Sequence, residues 1–96
     1  MATVVIPNWN GMQWLDGCLG ALARQDTTAF VTIVVDNGST DGSVAFIERQ
    51  YPAVEVIRLA SNTGFANAAN VGIAGASTPY VVLLNADTVA YPDFLS

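Results

Sequence analysis

Two apolar runs in this chain stop abruptly at polar groups. "YVVLLNADT" (80–88) passes straight into Asn85-Ala86-Asp87, and "FVTIVVDNGSTDG" (30–42) passes into Asp36 and a turn-rich tail. A third break comes after "TVVIP" (3–7), where Pro7 leads into Asn8, Trp9, Asn10 and Gly11. Carboxylates and amides placed where strands stop can hydrogen-bond a ligand, and a Trp among Asn, Asn and Gly either packs or stacks on a ligand ring. Each group also has a plainer use. Asp36 can satisfy the amides of its own loop, and Asn85 and Asp87 can make a turn or cap a helix.

The elements that would position these groups alternate. Strands are predicted at 3–7, 30–35, 54–59 and 80–84, the third alternating enough to be a less buried edge strand. Helices are predicted at 12–25, 44–51 and 64–76, with Pro52 and Pro79 closing the last two and a further helix beginning at 91–96. In the first helix Trp14, Leu15, Cys18, Leu19 and Leu22 form an apolar stripe, while Gly17 and Gly20 are expected to face the sheet and allow close packing. Ser39, Thr40 or Asp41 is expected to cap the second helix.

A β-α-β-α-β-α-β order implies a three-layer α/β fold, a mostly parallel sheet with right-handed crossovers and flanking helices. Such a sheet collects its strand-to-helix loops at one edge, where ligands bind. With strand order 3-2-1-4, Asp36 and Asn85 would stand roughly 10 Å apart across the first strand. That span suits a ligand the size of a nucleoside diphosphate and is too wide for one shared proton.

Composition narrows the chemistry. The 96 residues are 52% hydrophobic and 11% charged, with eight acids, three arginines, no histidine, no lysine and a net charge of −5. No basic face can be assembled, so no nucleic-acid partner is expected. Without His there is no Ser-His or Cys-His nucleophile pair, and without Lys no Walker-type phosphate loop or Schiff base. Cys18 reads as a buried apolar filler. The G-x-G-x-x-G of a dinucleotide site is missing after the first strand, as are the acids and lysine of a phosphate-accepting receiver domain. No apolar stretch approaches the ~18–20 residues that span a bilayer, and the expected setting is the cytoplasm, with contact to the inner membrane face through further regions or partners.

Taken together, "VVIPNWNG", "IVVDNGSTDGS", "NTGFANAANVGI" and "YVVLLNADT" resemble, in order and interval, the family 2 glycosyltransferases. These are inverting enzymes of GT-A (Rossmann-like) fold, and the branch most similar includes rhamnosyltransferase-like enzymes of bacterial cell-surface polysaccharide assembly. The resemblance covers nearly the whole chain. It implies a nucleotide sugar as donor (UDP-, dTDP- or GDP-linked) and a saccharide or lipid-linked glycan as acceptor. Pro7 and Trp9 would flank the base, and Asp36 would hydrogen-bond the base or its sugar. Asn10, Gly64, Asn67 and Ala86 would belong to the nucleotide site, and Asn85 would approach the ribose or a metal-bound water. Asp87, in the family's D-x-D place, would ligate Mg²⁺ or Mn²⁺ bridging to the diphosphate. The first position of that motif is Asn85 here, so the diphosphate must supply other ligands to the metal.

The resemblance also implies that residues 1–96 are the nucleotide-binding part alone, ending after the acidic motif. The general base would then lie downstream; Asp93, read as a helix cap, is not assigned that role, and the chain by itself is expected to be inactive. The fourth strand would be an uncovered apolar edge beside a thinly covered sheet face. A homodimer through that edge or face is therefore expected.

Overall fold

The computed structural model describes residues 1–92, 94 and 95; the reading of Asp93 falls outside the described residues. Four strands, β1 (Ala2–Asn8), β2 (Phe30–Asp36), β3 (Glu55–Arg58) and β4 (Tyr80–Leu83), alternate with helices α1 (Met12–Ala23), α2 (Ser43–Gln50) and α3 (Phe65–Gly75). All pairings are parallel and the sheet order is β3-β2-β1-β4, as predicted. β-branched runs supply the strands, and right-handed crossovers then dictate the layers. The chain winds outward from β1 to β3, so α1 and α2 share one face; it returns past β1 to β4, which sends α3 to the other.

Strand alternation divides the core accordingly. Val4, Ile6 and Val34 pack with Leu15, Cys18, Leu19 and Leu22 of α1 and Ile47 of α2. Val5, Ile33 and Val35 point the other way and pack with Ala68 of α3. The glycine that lets a helix close on the sheet is Gly72, where a Cβ would overlap a Val5 methyl and come within 3.0 Å of Val35 Cγ2. That corrects the expectation for Gly17 and Gly20. Gly17 is exposed near Val89, and Gly20 lies against the Arg24 guanidinium and the Tyr51 hydroxyl.

Two further expectations change. Trp14 is not part of the core stripe: it is 47% exposed while Leu15 is fully buried. The described residues of 91–96 form a turn, closed by the Phe94 N–H donating to Tyr91 C=O at 3.0 Å, instead of beginning a helix. The apolar β4 run is exposed at Tyr80 (69%), Val81 (39%) and Leu83 (42%), with Leu84 buried behind it. β4 is an edge, and the helices that bury β1 and β2 leave it largely uncovered.

Candidate functional site

The loops after β1 (9–11) and β2 (37–42) are stapled together at the carboxyl edge of the sheet. Asn10 adopts a left-handed backbone (φ 50°), which Asn tolerates better than most side chains. Its N–H donates to the Ser39 hydroxyl at 2.9 Å, and its Oδ1 accepts from the Thr40 N–H at 2.8 Å. Asp41 Oδ2 accepts from the Met12 N–H at the start of α1, and its Oδ1 from the Ser43 N–H, both at 3.0 Å, with the Ser43 hydroxyl donating to the same Oδ1. Burial alone would raise the Asp41 carboxyl, but the Ser43 hydroxyl and the Met12 and Ser43 amides outweigh it and hold the pKa below its ordinary 3.8. Of the three caps expected for α2, Asp41 makes these bonds, although the N-cap position itself is Gly42. Trp9 rides on the stapled turn and is 55% exposed.

Beneath the turn, Asn8 and Asp36 are register partners on the face of α1 and α2. Asn8 Nδ2 donates to Asp36 Oδ1 (3.1 Å) and to the Ser39 hydroxyl (3.3 Å), and Asp36 Oδ2 accepts from the Ser39 N–H at 3.0 Å. Asp36 is 2% exposed, and each of its carboxylate oxygens accepts one of these bonds. Among the described residues, Asn8 Oδ1 is the buried side-chain oxygen left without a hydrogen-bond partner. It crowds the position a Gly11 Cβ would take, so no side chain is admitted there.

Asn37, one residue on, takes the opposite face. Its Nδ2 donates to Asn62 Oδ1 (3.0 Å) and Gly64 C=O (3.1 Å), and its Oδ1 accepts from the Thr63 N–H (2.9 Å) and hydroxyl (3.1 Å). Asn67 is tied to the same loop, its Nδ2 donating to the Thr63 hydroxyl at 2.7 Å. This network fixes the entry to α3 and hence Phe65, which is 52% exposed.

Two adjoining hollows open on these walls. A narrow one of about 150 Å³ is lined by Pro7, Asn8, Trp9, Asn37, Asn62 and Phe65. A wider one of about 230 Å³ shares Pro7, Asn8, Trp9 and Phe65 and adds Gly11, Trp14 and Asn85 to Asp87. The structure therefore gathers Pro7, Trp9, Asn85, Ala86 and Asp87 on one cleft. Asn10, Gly64 and Asn67 support the loops around it. Asp36 lines a separate open hollow with Gly38, Ser39, Thr40 and Arg58. Sequence reasoning missed Asn37, Phe65 and Trp14. Counting alternate residues from Val35 would have put Asn37 on the face of α3.

Asn85 and Asp87 are exposed at the rim, and among the described residues nothing hydrogen-bonds their side chains. Under them the Cys18 thiol donates weakly to Asn85 C=O at 3.9 Å, and burial, then the Asp87 charge, push it up to about 11. Among the described residues no three His, Cys, Asp or Glu side chains cluster tightly enough to cage a metal. One carboxylate and one amide oxygen instead fit a hard cation that draws its remaining ligands from a diphosphate and water.

A parallel sheet flanked by helices, with a cleft beyond the carboxyl ends of its strands, defines an α/β domain. The family model described as "Glycosyl transferase family 2" matches residues 3–96, and the chain belongs to that family. It is 33% identical over 89 residues to the teichoic acid poly(glycerol phosphate) polymerase of Staphylococcus epidermidis, covering 88% of this chain and 12% of the relative. It is 36% identical over 93 residues to the uncharacterized glycosyltransferase YibD of Escherichia coli, covering 94% and 27%. Among solved structures, S. aureus TarS 1–349 in complex with UDP superposes with a TM-score of 0.91 at 27% identity, covering 98% of this chain and 29% of that one. The Pyrobaculum calidifontis mannosyltransferase PcManGT in complex with GDP-Man and Mn²⁺ gives 0.83 at 28% identity, covering 90% and 27%. The chain thus spans less than a third of the length of these relatives. Among the described residues no helix is long and apolar enough to cross a membrane.

Proposed function

We propose that residues 1–96 form the nucleotide-sugar-binding part of a family 2 glycosyltransferase. The parent reaction is attack by an acceptor hydroxyl, on a saccharide or lipid-linked glycan, at the anomeric carbon of a UDP-, dTDP- or GDP-linked sugar, with inversion. A rhamnosyltransferase-like role in cell-surface polysaccharide synthesis at the cytoplasmic side of the membrane is the finer form of this reading. The observation that carries it is the cleft itself, which sets Pro7, Trp9 and Phe65 against Asn85 and Asp87.

Pro7, Trp9 and Phe65 offer apolar walls to a planar base and exclude water from it. Asn10, Asp41 and Asn37 hold those walls in place. Asp87 and Asn85 would hold Mg²⁺ or Mn²⁺, which when bound supplies positive charge to a diphosphate leaving group. In a chain of net charge −5, that cation is also what makes diphosphate binding favourable. Asp36 acts through Asn8 and Ser39 to shape the loop under Trp9. None of the described residues is assigned as the general base that inverting transfer needs, and residues 1–96 by themselves are expected to bind nucleotide without transferring sugar.

Isothermal titration of UDP, dTDP and GDP with and without Mn²⁺ tests the proposal. The expected outcome is binding that tightens with metal; no binding at millimolar nucleotide in either condition overturns it. Asp87→Ala should abolish the metal dependence, whereas Asp36→Ala should weaken metal-free binding as well.

A second reading is favoured by the exposed apolar side chains of β4. Under it the chain is a non-catalytic, self-associating module, and it prevails if oligomers form while no nucleotide binds. Light scattering beside the titration separates the two.

A further inference from the structure

The cleft carries one aromatic more than a base requires. Trp9 and Phe65 line both hollows, but Trp14 lines the wider one alone, beside Asn85, Ala86 and Asp87. Among the described residues Trp14 belongs to neither core cluster. It sits in the first turn of α1, where Leu15 and Cys18, 0% and 1% exposed, fill the core while the indole stays 47% exposed. An indole left half in water costs free energy that a flat apolar partner would offset.

The linings of the two hollows say which partner. The narrow hollow has aromatic and proline walls, and the Asn37 amide on it is fully occupied by Asn62, Gly64 and Thr63. That rigid slot suits a base. Asn85 and Asp87 line the wider hollow and not the narrow one, and their hard oxygens suit the metal-bound diphosphate. In a nucleotide sugar the pyranose is attached to the end of the diphosphate away from the base, so it would lie in the wider hollow, which Trp14 lines. A pyranose presents one face of C–H bonds and a rim of hydroxyls, matching an indole with polar acceptors beside it.

We propose that Trp14 is the stacking wall for the donor's sugar ring and thereby a specificity-determining residue of this cleft. The inference rests on the nucleotide-sugar reading and deepens it. Trp14 discriminates a nucleoside diphosphate that carries a sugar from one that does not.

The test is titration of the wild-type chain, Trp14→Ala and Trp14→Phe with UDP, UDP-GlcNAc, GDP, GDP-mannose, dTDP and dTDP-glucose in Mn²⁺. For each sugar nucleotide that the wild type binds, Trp14→Ala should lose about fivefold to tenfold in affinity, the worth of one aromatic stacking contact. Its affinity for the matching nucleoside diphosphate should stay within about twofold, and Trp14→Phe should recover most of the loss. Equal losses for both ligand types, or no loss for either, overturns the assignment while leaving the nucleotide site intact. If the wild type binds none of the six ligands, the nucleotide-sugar reading itself fails and takes this inference with it. Circular dichroism melting of each variant accompanies the titrations, and if the alanine variant does not fold, Trp14→Leu, which keeps apolar bulk but no ring, decides the matter by the same selective loss.

Discussion

At the residue scale, the base of the cleft depends on side chains that serve the loops before any ligand. Because the Asp36 carboxylate can only accept, the Asn8 amide must turn its Nδ2 toward it, leaving Oδ1 orphaned against Gly11. Asn8→Asp would replace two donated hydrogen bonds with a second buried carboxyl beside the first. The expected outcome is a loss of about 2–3 kcal/mol in urea unfolding; an unchanged midpoint would show that the pair is not holding the loop. Asp41 makes a pH prediction. Its folded pKa lies below the ordinary 3.8, so its clamp on the starts of α1 and α2 contributes fully above the unfolded value. That contribution is lost as the pH falls from 3.8 through the folded pKa, when the carboxylate is protonated in both states. Melting temperatures of wild type and Asp41→Asn should therefore differ at pH 7 and converge at the acid end; a constant gap would count against the clamp.

At the element scale, what matters is how closely each helix approaches the sheet. α3 meets β1 and β2 through Gly72, over Val5 and Val35. Gly72→Ala improves helix propensity by roughly 1 kcal/mol, yet its methyl has nowhere to go, and overpacking of this kind costs about 1–3 kcal/mol. The expected net result is destabilisation in a thermal melt, with Gly75→Ala, where a Cβ comes no nearer than 3.5 Å to Ile57 Cδ1, as the tolerated comparison. On the other face α1 and α2 are joined by the Tyr51 hydroxyl, just past the end of α2, donating to Asp16 Oδ1 at 2.6 Å. That hydrogen bond, then burial and the Asp16 charge, raise the phenol pKa against a smaller opposing effect of Arg24.

For the whole molecule, the uncovered β4 edge carries a prediction about behaviour at high concentration. Its inner neighbour β1 is sealed on both faces, while Tyr80, Val81 and Leu83 remain in solvent on an unpaired edge. Unpaired edges of this composition invite pairing with another strand. The expected behaviour is self-association that grows with concentration and is measurable by light scattering at about 100 µM, the range of a small, weak interface. Val81→Lys should shift the chain toward monomer. A wild-type chain that stays monomeric there would leave the edge without a role in assembly.

The winding of the sheet was legible from residue order alone, because β-branched runs, glycine and proline punctuation and crossover handedness leave few alternatives. The loops that meet at the carboxyl edge came from the same logic, and so did the placement of Pro7, Trp9 and Asn85 to Asp87 beside one another. Side-chain direction was the part that only the tertiary structure decided. A step of one residue along β2 sends Asp36 to the face of α1 and α2 and Asn37 to the face of α3, so the conspicuous carboxylate lines a separate hollow while the plainer amide borders the cleft. On α1 the helical stripe could not tell Leu15, which meets the sheet, from Trp14, which meets the solvent of the cleft. Local spacing sets which residues share an element; burial against a distant element sets which of them are left free to touch a ligand.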